Sequence, residues 1–489
     1  MLFNSIEFLF VFLPITLGIF LTLKRFGYGK AAMAFIGLAS LFFYAWWDIR
    51  FLALLLGSVV FNYFIGRRLA ESASHRPLLI LGIAGNLVCL GWFKYFNFFV
   101  GNLNLLLPTE ITAQTIILPL GISFFTFQQI AYLVDAHKGE TQESNFIEYM
   151  VFVTFFPQLI AGPIVHHKTM MPQFHDHPVR DYDWAKACMG LSLFAIGLFK
   201  KVMLADELAR YGSPVFAAAL AGNEISLLEG WAGSLSYTLQ LYFDFSGYSD
   251  MAIGLGLLFG VRIPANFFSP YKATSVIEFW QRWHMTLSAF LKDYLYIPLG
   301  GNRAGRPRRY LNLMITMLLG GLWHGANWTF VVWGGLHGVY LIINHAWRKV
   351  FPDLLNATPF GRMVGWTITM LAIVVAWVLF RCESVPAAVE ILAGMAGLNG
   401  MVLPDENGAI GALKSIKAFY LILGGMFIVL FAPNSLQIIA AAERTAERKW
   451  YSWSLSRRWL ASTTALLSTT LYLIVYHINR ISEFIYFQF

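Results

Sequence analysis

The chain has 489 residues, of which 57% are hydrophobic and only 13% charged, and it carries a net charge of +8. Soluble domains carry about 25% charged residues, so this surface has too few charges to face water and most of it must face lipid. The positive residues stand in clusters beside apolar runs, which reads as a topology signal and not as a nucleic-acid footprint. The three cysteines, Cys89, Cys188 and Cys382, are too scattered for a disulfide framework or a metal spacing.

A spanning helix needs about 20 mostly apolar residues. In chain order, the runs 6–23, 31–47, 51–66, 77–93, 146–164, 184–204, 230–260, 311–333, 364–380, 417–432 and 459–476 predict spans, and weaker runs lie at 118–134, 213–221 and 334–347. The fold class expected is an all-α polytopic membrane protein of about eleven to thirteen transmembrane helices with re-entrant or interfacial segments. No repeat or low-complexity linker divides it, so residues 1–489 read as a single membrane domain. The first run is too long for a signal-peptide core and lacks a cleavage site, so it is expected to be retained. Lys24, Arg25 and Lys30 follow the first run, and Arg67 and Arg68 follow the third. With the N-terminus outside, both clusters become cytoplasmic. The basic loop Arg303, Arg306, Arg308 and Arg309 and the cluster Arg444–Arg458 fit that orientation, which leaves the tail 482–489 outside.

Several segments carry more than hydropathy. In Phe155–Ile164, two prolines and a glycine break a helix inside an apolar run, which is tolerated at membrane depth only where the backbone is buried in protein or lines a cavity. In Gln240–Asp250, Asp244 and Asp250 must face protein or water, and Asp244 and Tyr248 share a helix face; a structural polar network is the expected role. Glu278–Ser288 mixes charges with tryptophans and reads as an interfacial or cavity-lining helix. Its His284 fits either a role with the substrate or a capped interfacial histidine.

Gly320-Gly321-Leu322-Trp323-His324-Gly325-Ala326-Asn327-Trp328 is the most informative stretch. Helical rise from Leu311 puts His324 about 20 Å into a hydrocarbon core about 30 Å thick. A titratable group at that depth is costly and points to function. Burial there disfavours imidazolium, and a neutral imidazole is what a general base needs. A histidine hydrogen-bonded between helices is the competing reading of the same residue. Beyond it, 383–415 reads as a short amphipathic helix followed by a Gly-rich loop.

The stretches Glu278–Arg303 and Thr316–Gly338, within a catalytic region 278–338, resemble the two signature regions of the membrane-bound O-acyltransferase family. Phe93-Lys94-Tyr95, Leu118–Phe124, Phe156–Ile164, Leu241–Leu255 and Asp293–Arg303 resemble its bacterial polysaccharide-acetylating branch, and the likeness runs over essentially the whole chain. The resemblance implies a ring of helices around a central tunnel, with His324 as the buried catalytic histidine and His284 as the second polar residue. It implies acetyl passing from a cytoplasmic donor, expected to be acetyl-CoA with no bound cofactor and no metal, to periplasmic acetyltransferase partner proteins. Alginate is the expected polymer; peptidoglycan and cellulose are the alternatives. The basic residues Arg303, Arg306, Arg308 and Arg309 fit donor phosphates as well as topology.

The aromatic tail 482–489 resembles the acyl-carrying C-terminal motif of a small partner protein in lipoteichoic acid D-alanylation. That likeness makes Tyr486 a candidate acyl carrier, against a simple aromatic anchor. A transporter or export channel and a non-catalytic scaffold are the readings from other classes.

Overall fold

The computed structural model describes residues 1–71, 75–107, 111–141, 145–175, 182–303, 305–351, 355, 357–403, 410–440 and 449–476. In chain order the helices are α1 Glu7–Arg25, α2 Gly29–Ala45, α3 Arg50–Glu71, α4 Arg76–Asn104, α5 Ile122–His137, α6 Phe146–Thr154, α7 Phe156–Leu159, α8 His167–His175, α9 Trp184–Leu220 and α10 Leu227–Leu258. They continue with α11 Val276–Arg282, α12 Met285–Leu291, α13 Gly305–His324, α14 Trp328–Val350, α15 Pro359–Arg381, α16 Val385–Met395, α17 Ile416–Phe431, α18 Ser435–Ala440 and α19 Arg457–Tyr476. No strand occurs among the described residues. Six helices, α1, α3, α4, α9, α15 and α19, are long and apolar enough to cross a membrane by length and composition. The chain is an all-α polytopic membrane protein.

Several readings of the sequence need correction: the weaker run 213–221 is the end of α9, and the run 146–164 is split between α6 and α7. The run 311–333 is not one span: it holds the end of α13 and the start of α14, and the weaker run 334–347 belongs to α14. The helix stops because Asn327 takes an extended conformation and its side chain accepts the Thr329 N–H at 3.1 Å, an N-cap that starts a new helix. The basic loop is also shorter than expected. α13 begins at Gly305, so Arg306, Arg308 and Arg309 form its first turns, with Pro307 in the first turn where its missing N–H costs nothing.

The chain divides into two compact units. The first comprises Met1–Leu198, Tyr248–Ala265 and the described residues from Trp453 on. Its core is a cluster of phenylalanines, with Phe12 edge-on to Phe156 at 5.3 Å and Phe8 edge-on to Phe43 at 5.9 Å. The break between α6 and α7 falls at Phe155, whose ψ of 110° leaves the helical range. Its freed backbone groups find protein partners. The Phe152 carbonyl accepts from Gln128 Nε2 at 2.9 Å and Gln158 Nε2 at 2.8 Å, and the Phe156 N–H donates to Ser40 Oγ at 3.1 Å. Residues 155–164 are buried throughout, so this irregular backbone meets protein and not lipid. Gly121, with φ +73°, starts α5 beside them; a Cβ there would come within 2.9 Å of the Leu159 carbonyl oxygen.

The second unit comprises Phe199–Gly247 and Asn266–Ser452. Asp244, buried in α10, is paired with the ammonium of Lys201 at 2.8 Å, and Lys201 also meets Asp206 at 2.8 Å. Both acids answer one buried lysine, so Asp244 belongs to a polar network as its place in an apolar run requires. The tightest helix pair of this unit is α13 with α14. A Cβ on Gly321 would run into the Phe330 carbonyl oxygen, and one on Gly334 into the Met317 carbonyl oxygen. The two helices therefore cross backbone against backbone, as small residues allow in membranes.

Candidate active site

The α13–α14 crossing builds the site. α13 ends on His324, three residues turn the chain, and α14 returns past it. Positions 330, 333 and 337 lie three and four residues apart and so share the face of α14 that meets α13. The Asn327 side chain caps α14 and donates through Nδ2 to the Glu383 carbonyl, just past the end of α15, at 2.7 Å.

His324 is buried among aromatic rings: Trp323 at 4.9 Å, Phe380 at 5.1 Å and Trp333 at 5.2 Å between centroids. Beside it lies a cavity of about 10 Å³, walled by Leu241, Phe245, Trp283, Trp333 and Phe380 with His324 itself. That is close to the least space that holds one water molecule or one oxygen atom.

His284 stands between α11 and α12 in a left-handed conformation, φ 43° and ψ 53°. Histidine is enriched several-fold in this region among non-glycine residues, but the conformation still costs energy and clusters at functional sites. The ring is buried and held by one residue. Oδ1 of Asn266 faces the Thr286 N–H at 3.3 Å, the Thr286 hydroxyl at 2.9 Å and His284 Nδ1 at 3.1 Å. A backbone N–H only donates, so the atom facing it is an acceptor, and Nδ1 must carry the proton. The lone pair of the neutral ring is then on Nε2, which is buried and meets no hydrogen-bond partner among the described residues. Burial pushes the imidazole down to about 3 from its ordinary value. Trp323 is in ring contact with both histidines, at 6.2 Å from His284, and Phe245, which walls the His324 cavity, packs edge-on to His284 at 4.8 Å.

A third histidine escaped the sequence reading. His337 is fully buried, and its Nδ1 accepts from Trp280 Nε1–H at 3.2 Å. Its ring lies 4.8 Å from Trp333, on α14, and so braces the tryptophan that touches His324. The sign that finds it is the one that found His324, a titratable ring inside an apolar helix, set i, i+4 from a tryptophan. Glu278 and Arg282 of the same signature pair at 2.7 Å, and Glu278 accepts from the Thr274 N–H at 2.8 Å, so both organise α11. Arg303, Arg306 and Arg308 are exposed, while the Arg309 guanidinium lies 2.8 Å from His345 Nδ1. Tyr486 and the tail 482–489 lie outside the described residues.

A buried histidine in an aromatic chamber, with a second histidine of defined tautomer one ring away, suits proton transfer during acyl transfer. The family model described as the membrane-bound O-acyltransferase family matches residues 136–385, which include all three histidines. The chain belongs to the membrane-bound O-acyltransferase family. It is 40% identical to the peptidoglycan O-acetyltransferase of Helicobacter pylori over all of this chain and 98% of that protein. It is 41% identical to the probable alginate O-acetylase AlgI of Pseudomonas aeruginosa over 88% of this chain and 81% of that one. The teichoic acid D-alanyltransferase of Streptococcus thermophilus is 31% identical over 53% of this chain and 65% of its own. This membrane-bound O-acyltransferase is thus an integral membrane enzyme that acylates a polysaccharide.

Proposed function

We propose that the protein takes acetyl from acetyl-CoA on the cytoplasmic side of the bacterial inner membrane and delivers it outward for O-acetylation of an exported polysaccharide, with alginate as the polymer. The observation that carries the reading is His324, buried at the end of α13 and packed against the ring of Trp333 beside a cavity of atomic size. In this reading His324 is the general base and His284, with its Nε2 lone pair, assists it. The exposed Arg303, Arg306 and Arg308 meet the donor phosphates; Arg309 is engaged by His345. Tyr486 receives acetyl and hands it to periplasmic acetyltransferase partners, which esterify the polymer. No cofactor is required, because the thioester donor already carries an activated acyl group.

Peptidoglycan is the second reading of the acceptor, supported by the peptidoglycan O-acetyltransferase that aligns with the whole chain. One experiment separates the two. Base-released acetate is measured on purified exopolysaccharide and on purified peptidoglycan from a strain lacking the gene, complemented with wild type or with His324→Ala. The first reading expects acetate on the exopolysaccharide alone, lost by ~10²–10⁴-fold in rate with His324→Ala present in the membrane at normal level. Acetate lost only from peptidoglycan replaces the polymer; undiminished acetate on both removes His324 from the reaction.

A further inference from the structure

The Nε1–H of Trp333 is buried and meets no hydrogen-bond acceptor among the described residues. Leaving a buried donor unpaired is costly, and native structures rarely do so without a reason. Trp333 is held in place from two sides. Gly334, next to it, crosses the α13 backbone at Met317, and His337 braces its ring from the same helix. Its ring stands nearly perpendicular to that of His324, at 86°, and both wall the cavity of about 10 Å³. Trp377, also in the wall, carries a buried indole N–H with no acceptor among the described residues as well; Trp333 is the one packed ring against ring with His324 at 5.2 Å.

Acyl transfer puts negative charge on one oxygen, and a preorganised donor in a dry site stabilises that charge far better than water does. We propose that Trp333 is a catalytic residue whose indole N–H holds the acyl carbonyl oxygen as it becomes an oxyanion in that cavity; this deepens the acyl-transfer reading and rests on it. With a thioester donor and a hydroxyl acceptor, His324 takes the hydroxyl proton and the acceptor oxygen bonds to the carbonyl carbon. The C=O electron pair moves onto oxygen, where the Trp333 N–H meets it. Collapse restores C=O and breaks the C–S bond, and the thiolate leaves with the proton from His324. The products are an ester and a free thiol. Trp377 stacks on Trp333 at 6.0 Å and walls the same cavity.

The test is labelled acetyl transfer from acetyl-CoA in membrane vesicles of the polymer-producing strain, reading apparent kcat and donor KM. Trp333 is replaced by phenylalanine and, separately, by 3-benzothienylalanine, which keeps the bicyclic shape and exchanges N–H for sulfur. Both variants are expected to lose ~10²-fold in kcat, the loss typical of one oxyanion donor, with donor KM near wild type. Wild-type kcat for the benzothienylalanine protein overturns the proposal even if Trp333→Phe is inactive, because shape alone would then suffice. His324→Ala, measured alongside, separates the levels: an active His324→Ala protein defeats the acyl-transfer reading, whereas an inactive one beside an active benzothienylalanine protein defeats only the role of Trp333.

Discussion

His284 donates from Nδ1 to Oδ1 of Asn266 across 3.1 Å, and that one bond decides which ring nitrogen is left to take a proton. Asn266 lies in the loop before α11, eighteen residues upstream of the histidine it orients.

Asn266→Leu is expected to act on both stability and rate. It removes the acceptor of the His284 N–H, the Thr286 N–H and the Thr286 hydroxyl, at about 1–3 kcal/mol for each buried donor left unpaired. Transfer should fall on the order of 10²-fold, as for a misplaced base. Melting in detergent and a transfer assay measure the two effects. Nitrogen-15 shifts of His284 report the tautomer directly, and an Nε2–H signal in the wild type would remove the basis for this role. Acid bears on the same residue. Because the folded pKa is about 3, below the ordinary histidine value of about 6.5, the unfolded chain binds a proton that the folded chain refuses. Stability from this group is complete above pH ~6.5 and declines as pH falls toward 3.

Lys201→Met should be among the most destabilising single changes. It removes the cation facing Asp244, whose carboxylate is 2% exposed, and breaking a buried pair from one side costs about 3–5 kcal/mol. Adding Asp244→Leu should recover much of that loss, because two apolar groups then replace the pair. A double mutant no more stable than Lys201→Met would show that Asp244 is held by something else.

Adjacent glycines on α14 give a sharp contrast. Gly334→Ala places a methyl against the Met317 carbonyl oxygen and the α13 backbone, which cannot give way, so folded protein should be lost. Gly335→Ala places a methyl at 3.5 Å from a Leu318 side-chain carbon, an ordinary contact. There the better helix propensity of alanine, about 0.5–1 kcal/mol, should leave the protein unharmed or slightly more stable. Monodispersity in detergent measures both, and equal behaviour of the two variants would contradict the close crossing.

Tyr486→Phe separates carrier from anchor. It keeps the ring and deletes the hydroxyl that would bear the acetyl ester. If Tyr486 carries acetyl, polymer acetylation should fall as far as in His324→Ala, and mass spectrometry of trapped wild type should find acetyl on the C-terminal peptide. Normal acetylation would leave direct transfer to the partner as the route.

His324 was legible in the sequence because depth in an apolar run and flanking glycines are local facts. His284 showed itself by the charged tryptophan-rich stretch around it, but nothing there announces a left-handed backbone or the distant asparagine that sets its tautomer. Trp333 and His337 were missed for one reason: hydropathy ran 311–333 together as a single span and cut α14 in two, which hid their i, i+4 pairing. The Lys201 partnership with Asp244 was equally hidden, since forty-three residues separate its ends and hydropathy records only that each is out of place. The Pro/Gly break at 155–164 was visible; the two glutamines that satisfy it became visible only in three dimensions.

Neither α13 nor α14 is among the six helices apolar and long enough to cross a membrane by composition alone. What joins the arms of the hairpin that carries the chemistry is the glycine-lined crossing, Gly321 against the Phe330 carbonyl and Gly334 against the Met317 carbonyl, so the two arms make one structural piece and the active site is set wherever that crossing is set.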